Sequence, residues 1–424
     1  MAAAHAEWLC APDTAEISRT AAPLLGDAFA LQRFLRKHCT PEQAIALAHQ
    51  IDLRQRAAQR GKLSNLDPHR LVFDRLGLEQ ATSALPAAAK AEWLLQRLGA
   101  GARVADLCCG LGGDALAFAA AGLQVVAVDS NADRLALLSA NAHGAGLADR
   151  IQPVLSEVRS ADDLPDGVSA WHIDPDRRTH DGQRAVSLAD AIPGLEVLHA
   201  LQDRCPAGII KASPVVRPEE LARPCLALVV SVDAELRQLW MLTGKLAEVE
   251  GHAPQTLRRG ALLLSSPPTG QSAPTQTLFL QTPGRLCIFR QAPQIGPRVF
   301  IADTALRHAR LAADAAETLG LLAVDPEGQI LTGPAIAPAG FGTFDLLHAL
   351  PAKPDVVAEW MARHSLRAHE VISRLEHASA DDWQRQLNQR LARTDAPASV
   401  LLVPLWAQGL PRTALICQRH HRRL

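Results

Sequence analysis

The sequence predicts an α/β fold around a parallel sheet, preceded by a helical region and followed by a smaller α+β unit. Three observations carry this. Residues 103–232 alternate short apolar runs (RVADLCC, LQVVAVD, IQPVLSE, WHIDPD, GIIKAS, ALVVSVD) with amphipathic stretches of helical length. Such strand–helix alternation implies βαβ units and right-handed crossovers. Residues 1–98 carry apolar side chains at three- and four-residue spacing instead. Beyond a Pro- and Ser-rich break, SSPPTGQSAPTQ (265–276), the two textures mix.

In the first region, FALQRFLRKHCTPEQAIALAHQIDLRQRAAQR (29–60) reads as helix, with Thr40-Pro41 as a start signal. NLDPHR interrupts it, and LPAAAKAEWLLQRLG resumes it up to Gly99 and Gly101. After the break come strand-like TLFLQT and LCIFRQ, helical TALRHARLAADAAETLG, and strand-like ASVLLVPLW and TALICQ. The expected segments are 1–98, 99–265, 277–335 and 340–420.

With 424 residues, 48% hydrophobic and 21% charged, the chain is of ordinary folded composition and long enough for two or three domains. A net charge of −1 supplies no global attraction to polyanions, so any such site is a local patch. No run of about 18 apolar residues occurs, and the start lacks a signal peptide's basic and apolar regions. Eight cysteines without CxxC spacing point away from structural zinc and a disulfide framework, and toward a reducing cytoplasm. No metal and no membrane contact are expected.

The informative stretch is VADLCCGLGGD (104–114). A glycine turn between strand and helix lets a backbone approach a ligand and directs free amides at it. Gly110, Gly112 and position 115 also fit the dinucleotide pattern G-x-G-x-x-G/A, with Asp129 closing the next strand. Asp106, four residues before the first glycine, would not help a diphosphate but would suit a cationic ligand. Acids then recur at successive strand ends: Asp106, Asp129, Glu157 and Asp174-Pro175. The carboxyl edge of a parallel sheet is where such folds bind ligands. Read alone, Asp129 also fits a cap for the helix NADRLALL, the lesser of its two readings. Cys108 and Cys109 read as small apolar filler, and Cys225 as a buried core residue.

These motifs together resemble Rossmann-like class I S-adenosylmethionine-dependent methyltransferases. The resemblance implies that Asp106, Gly110, Gly112, Gly113 and Asp114 take the amino acid part of S-adenosylmethionine. It implies that Asp129 takes the ribose hydroxyls and Glu157 approaches the adenine, while Asp174 and Pro175 face the methyl acceptor. More narrowly, LEQATSALPAAAKAEWL (78–94), HIDPDRRTHDG (172–182), GIIKASPVV (208–216) and LRAHEVISRLEHASADDWQRQLNQRL (366–391) resemble a bacterial group with a C-terminal THUMP-like domain. That implies a structured RNA, tRNA or rRNA, as substrate.

Asp176-Arg177-Arg178 stand where nucleic-acid amine methyltransferases carry a second proline and an aromatic. Arg177 and Arg178 can grip phosphate or stack on a base. Arg54, Arg56, Arg60 and Lys62, with the terminal QRHHRRL, read as modest basic patches or as solvated surface. Without tyrosine and with 4% aromatics, a single-strand stacking platform is not expected. Two other functions compete: a nicotinamide-dependent oxidoreductase, with His172 and Lys211 as its nearby candidates, and a non-catalytic RNA-binding protein.

Overall fold

The computed structural model describes residues 5–62, 66–175, 187–267, 273–282, 287–325, 327–393, 395–405 and 410–420. The chain divides into two compact units, residues 1–232 with 237–258, and residues 233–236 with 259–424.

The first unit opens with helices α1 (Ala6–Cys10), α2 (Pro12–Ala21), α3 (Ala28–Leu35), α4 (Pro41–Gln59), α5 (Arg75–Gln80) and α6 (Ala84–Leu98). The Thr40-Pro41 signal is real: Thr40 and Gln43 form a reciprocal capping box with Pro41 in the first turn. α6 ends at Gly99, whose φ of 87° only glycine adopts without strain.

The expected separation of 1–98 from the sheet region does not hold. Asn141 clamps Val72 through both backbone groups, at 2.7 and 3.1 Å, and the Trp93 indole donates to Leu246 O at 3.0 Å. Arg54 is buried, donating to Leu71 O, Leu9 O and Ser18 Oγ. It therefore ties the helices together and belongs to no basic surface patch.

The sheet of this unit contains β1 (Arg103–Leu107), β2 (Gln124–Asp129), β3 (Ile151–Leu155), β4 (Ala170–Ile173), β5 (Gly208–Ala212), β6 (Cys225–Val232) and β7 (Glu235–Thr243). Their order is β3-β2-β1-β4-β5-β7-β6. β1 through β5 run parallel as expected, and β7 lies antiparallel to β5. Helices α7 (Gly113–Ala120), α8 (Ala132–Gly144) and α9 (Leu195–Arg204) make crossovers. Strand order reverses between β1 and β4, which opens a crevice at their carboxyl ends. Cys225 is fully buried in β6, and none of the eight cysteines, all among the described residues, forms a disulfide.

The second unit holds β8 (Leu257–Ser265), paired antiparallel with β9 (Thr275–Leu280). Its larger sheet comprises β10 (Arg298–Ala302), β11 (Leu322–Ala323), β12 (Leu331–Thr332), β13 (Phe341–Pro351), β14 (Leu366–Ser373), β15 (Ala396–Leu405) and β16 (Leu410–Arg419). These seven strands run in the order β11-β12-β10-β13-β16-β15-β14. Helices α10 (Thr304–His308), α11 (Ala312–Thr318), α12 (Pro354–Arg363) and α13 (Ala380–Asn388) accompany it. β15 alternates its side chains between two cores: Val400 and Leu402 pack with Met361 and Leu387, while Leu401 and Val403 pack with Phe344 and Leu415.

The expected boundary near 335–340 does not exist either. β10 pairs with β13 directly across it, so 277–335 and 340–420 share one sheet. Within LCIFRQ, the described residues 287–290 run irregular rather than as a strand, before Gln291 makes a single bridge. Among the described residues no helix is long and apolar enough to cross a membrane.

Candidate active site

β1 delivers the chain into a sharp turn that ends as α7 begins. Cys108 (φ 58°), Gly110 (φ 58°) and Gly112 (φ 80°) are all left-handed. For Cys108 that geometry costs about 1–3 kcal/mol, a strain that clusters at functional sites. The loop is anchored by Cys109 N–H on Val128 O (3.0 Å) and Gly112 N–H on Cys109 O (2.9 Å).

Asp129, buried at the end of β2, completes it. Its Oδ2 accepts from Gly110 N–H at 2.8 Å and its Oδ1 from Asn131 N–H at 2.9 Å. The cap of α8 is Asn131, whose side chain accepts from Arg134 N–H. Asp129 is therefore not the helix cap. It is a carboxylate fixed against the glycine loop, with lone pairs left on both oxygens. A Cβ on Gly110 would meet nothing within 4 Å, so the space over the loop beside Asp129 is open.

Beneath the loop lies a buried polar chain. In register, Asp106 on β1 pairs with His172 on β4, and His172 Nδ1 lies 2.7 Å from Asp106 Oδ1. Lys90 Nζ sits 3.1 Å from His172 Nε2 and 2.6 Å from Asp114 Oδ1. An ammonium only donates, so Nε2 accepts and the ring proton on Nδ1 goes to Asp106. Thr82 Oγ donates to Asp114 Oδ2 at 2.6 Å and accepts from Lys211 Nζ at 2.8 Å; Lys211 in turn pairs with Asp174. Burial raises the Asp106 carboxyl above its usual range despite His172. Burial acts on Asp114 too, but Lys90, His172 and Lys211 outweigh it and hold that carboxyl well below its range. Burial lowers the Lys90 ammonium, against the pull of Asp114.

This chain corrects several expectations. Asp106 is enclosed and its Oδ1 is taken by His172, so it does not present a free carboxylate to a ligand. Asp114 faces Lys90 and Thr82 rather than the open loop. Gly113 serves close packing: a Cβ there would lie 3.2 Å from Thr82 N. Glu157 stands beyond edge strand β3, exposed and paired with Arg159. Asp174 and Pro175 do follow β4 at the crevice, with the Asp174 side chain 26% exposed. Arg177 and Arg178 lie outside the described residues.

Burial, then Asp106 and Asp129, push the Cys109 thiol well up, which disfavours the thiolate form. Lys62 donates to Ala81 O, and burial followed by Lys211 brings its ammonium down to about 8. It too belongs to the interior edge of the site rather than to a basic surface. Among the described residues no group of three His, Cys, Asp or Glu side chains is set to hold a metal ion.

The geometry has counterparts among known proteins. A family model described as RNA cap guanine-N2 methyltransferase matches residues 101–202. A solved structure from Porphyromonas gingivalis, assigned as a methyltransferase, is 19% identical, covering 96% of this chain and 98% of that one, with a TM-score of 0.70. A T. thermophilus 16S rRNA N2 methyltransferase in complex with AdoMet and guanosine is 21% identical over 38% of this chain and 43% of that one, with a TM-score of 0.30. A Clostridium thermocellum chain assigned as an rRNA methylase is 17% identical over 31% and 71%, with a TM-score of 0.24. No curated protein matches. The P. gingivalis likeness shows a shared fold from end to end, and the first unit has the Rossmann-like fold of class I methyltransferases.

Proposed function

We propose that the chain is an S-adenosylmethionine-dependent methyltransferase acting on a structured RNA, ribosomal or transfer. The observation that supports it best is the fixed Asp129 carboxylate against the open Gly110 turn, at the point where strand order reverses. A vicinal pair of ribose hydroxyls suits a carboxylate with a lone pair free on each oxygen. The small residues of the loop suit the amino acid end of the same molecule. The cofactor, when bound, supplies a methyl group on a positively charged sulfur. The chain's residues orient the acceptor and take hydrogen bonds from it, and such a displacement needs no metal. Asp174 is the residue proposed to accept the N–H of an amine acceptor, with Pro175 shaping that edge. The family model over residues 101–202 supports both methyl transfer and an RNA target. A nicotinamide enzyme is disfavoured because its candidate groups are already engaged, His172 with buried Asp106 and Lys211 with Thr82 and Asp174.

Calorimetry with S-adenosylhomocysteine and with NADH tests the cofactor half: only the first should bind. Asp129→Ala should weaken that binding by about 1.5–3 kcal/mol, the scale of charge-assisted hydrogen bonds lost from a buried site. Affinity unchanged beside a lowered melting temperature would reduce Asp129 to a brace for the loop.

The RNA half is tested by mass spectrometry of nucleosides from a deletion strain beside its parent. One missing methylated nucleoside names the product, whereas an intact profile removes RNA as the substrate. The second unit, THUMP-like in this reading, and Arg177 with Arg178 are proposed to hold the RNA. Binding should fall with salt at a log–log slope near −0.7 to −0.9 per neutralised phosphate. Replacing Arg177 and Arg178 with alanine should flatten that slope while S-adenosylhomocysteine affinity stays constant.

A further inference from the structure

We propose that Thr82 and Lys211 are positioning residues that hold the Asp174 carboxylate in its working orientation and tie it to the base of the glycine loop. The inference rests on the methyl-transfer reading above and adds two residues that nothing in that reading requires.

Lys211 is a buried lysine in a strand whose every residue is buried, β5. Its ammonium reaches across to Asp174, which stands just past the neighbouring strand β4. The pairing with Lys211 orients the Asp174 carboxylate only as firmly as the lysine itself is fixed. Thr82 fixes it. A hydroxyl has one proton to give and lone pairs to receive with. Asp114 can only accept and Lys211 can only donate, so the two set the direction of the Thr82 hydroxyl between them. Oγ donates to Asp114 at 2.6 Å and receives Lys211 at 2.8 Å.

Asp114 is in turn pinned by Lys90 at 2.6 Å and belongs to the first turn of α7, the helix that the glycine loop opens. The Thr82 backbone rests against Gly113, where a Cβ would lie only 3.2 Å from Thr82 N. An uninterrupted run of fixed groups thus leads from the start of α7 through Thr82 and Lys211 to Asp174. An acceptor N–H needs a lone pair of Asp174 aimed at it, and this run supplies the aim without any of its members meeting the acceptor.

The test is a double-mutant cycle in the full-length protein, with labelled S-adenosylmethionine and unfractionated RNA from cells lacking the gene as acceptor. Thr82→Val keeps the shape and removes the hydroxyl. It should lower kcat about tenfold with S-adenosylhomocysteine affinity within about twofold, and Thr82→Ser should restore turnover. In an Asp174→Asn background, Thr82→Val should change kcat by less than about twofold, because the group it positions is gone. A bystander role predicts otherwise: unchanged kcat in Thr82→Val, or equal losses with and without Asp174→Asn, would overturn the proposal. Should Thr82→Val fail to fold, Lys211→Gln against Asp174→Asn is read in the same way. If Asp174→Asn turns over like the parent, or the parent methylates no RNA, the failure lies in the functional reading itself and takes the inference with it.

Discussion

Replacing Lys90 with methionine should cost about 3–5 kcal/mol of folding stability, the scale of a buried ion pair broken by removing one partner. Lys90 is completely buried on α6, within 2.6 Å of Asp114 and 3.1 Å of His172, and 5.8 Å above the Trp240 ring. Taking the ammonium away strands the Asp114 carboxylate where water cannot reach it. Methionine fills most of the volume, so the loss reports charge rather than a cavity. Denaturant unfolding is the measurement: the midpoint should fall with the slope unchanged. Adding Asp114→Leu should recover part of the loss, because removing both members of a buried pair costs less than removing one.

The pH dependence follows with its sign. The Asp114 carboxyl is held below its ordinary range in the fold, so its contribution is full above that range and fades as pH falls through and below it. Without Lys90 that contribution is reduced, because His172 and Lys211 remain, and protonating Asp114 relieves the charge left short of its closest partner. The deficit of the variant should therefore be greatest near neutrality and should shrink below about pH 4. A deficit of the same size at pH 7 and at about pH 2.5 would assign Lys90 to packing alone.

None of this network could be read from Lys90 itself. In LPAAAKAEWLLQRLG it looks like the solvated cation of an amphipathic helix, and its partners His172 and Asp114 lie 82 and 24 positions away. The clue was on the strand side. WHI and GIIKA are strands of a parallel sheet covered on both faces, and a polar residue there has to find a partner.

Local signals fared better. The glycine turn, the acid closing β2 and the Thr40-Pro41 helix start depend on a few neighbouring residues, and each stands where the sequence put it. Glu157 follows the edge strand β3, exposed and paired with Arg159, so its place at the strand end is legible in the sequence while its surroundings are not. Arg54 misled because its charge serves backbone carbonyls in the interior. The boundary near 335–340 fails because pairing between distant strands, β10 with β13, carries one sheet across it, and no local feature of the sequence reports such a pairing.

Asp174→Ala should cut turnover by roughly 10²–10⁴-fold, the range a positioned proton-accepting side chain contributes. Affinity for S-adenosylhomocysteine should stay within about twofold. The two readings separate because Asp129 and Gly110 sit at the ends of β2 and β1, whereas Asp174 follows β4 on the other side of the strand reversal. A group that meets only the acceptor contributes to the barrier and not to cofactor binding, so kcat falls while cofactor affinity holds. Alanine also leaves the Lys211 ammonium without its carboxylate in a buried strand, which would lower stability whatever Asp174 does. Asp174→Asn guards against that confusion, since it keeps the shape and a carbonyl oxygen for Lys211. Turnover in the asparagine variant should still fall well below the parent, because the amide oxygen is a weaker acceptor than a carboxylate. If both variants fold and the asparagine form turns over at the parent rate, Asp174 is a structural partner of Lys211 and the acceptor group must be sought elsewhere on the sheet edge. If cofactor affinity collapses in either variant, the end of β4 belongs to the cofactor side of the crevice.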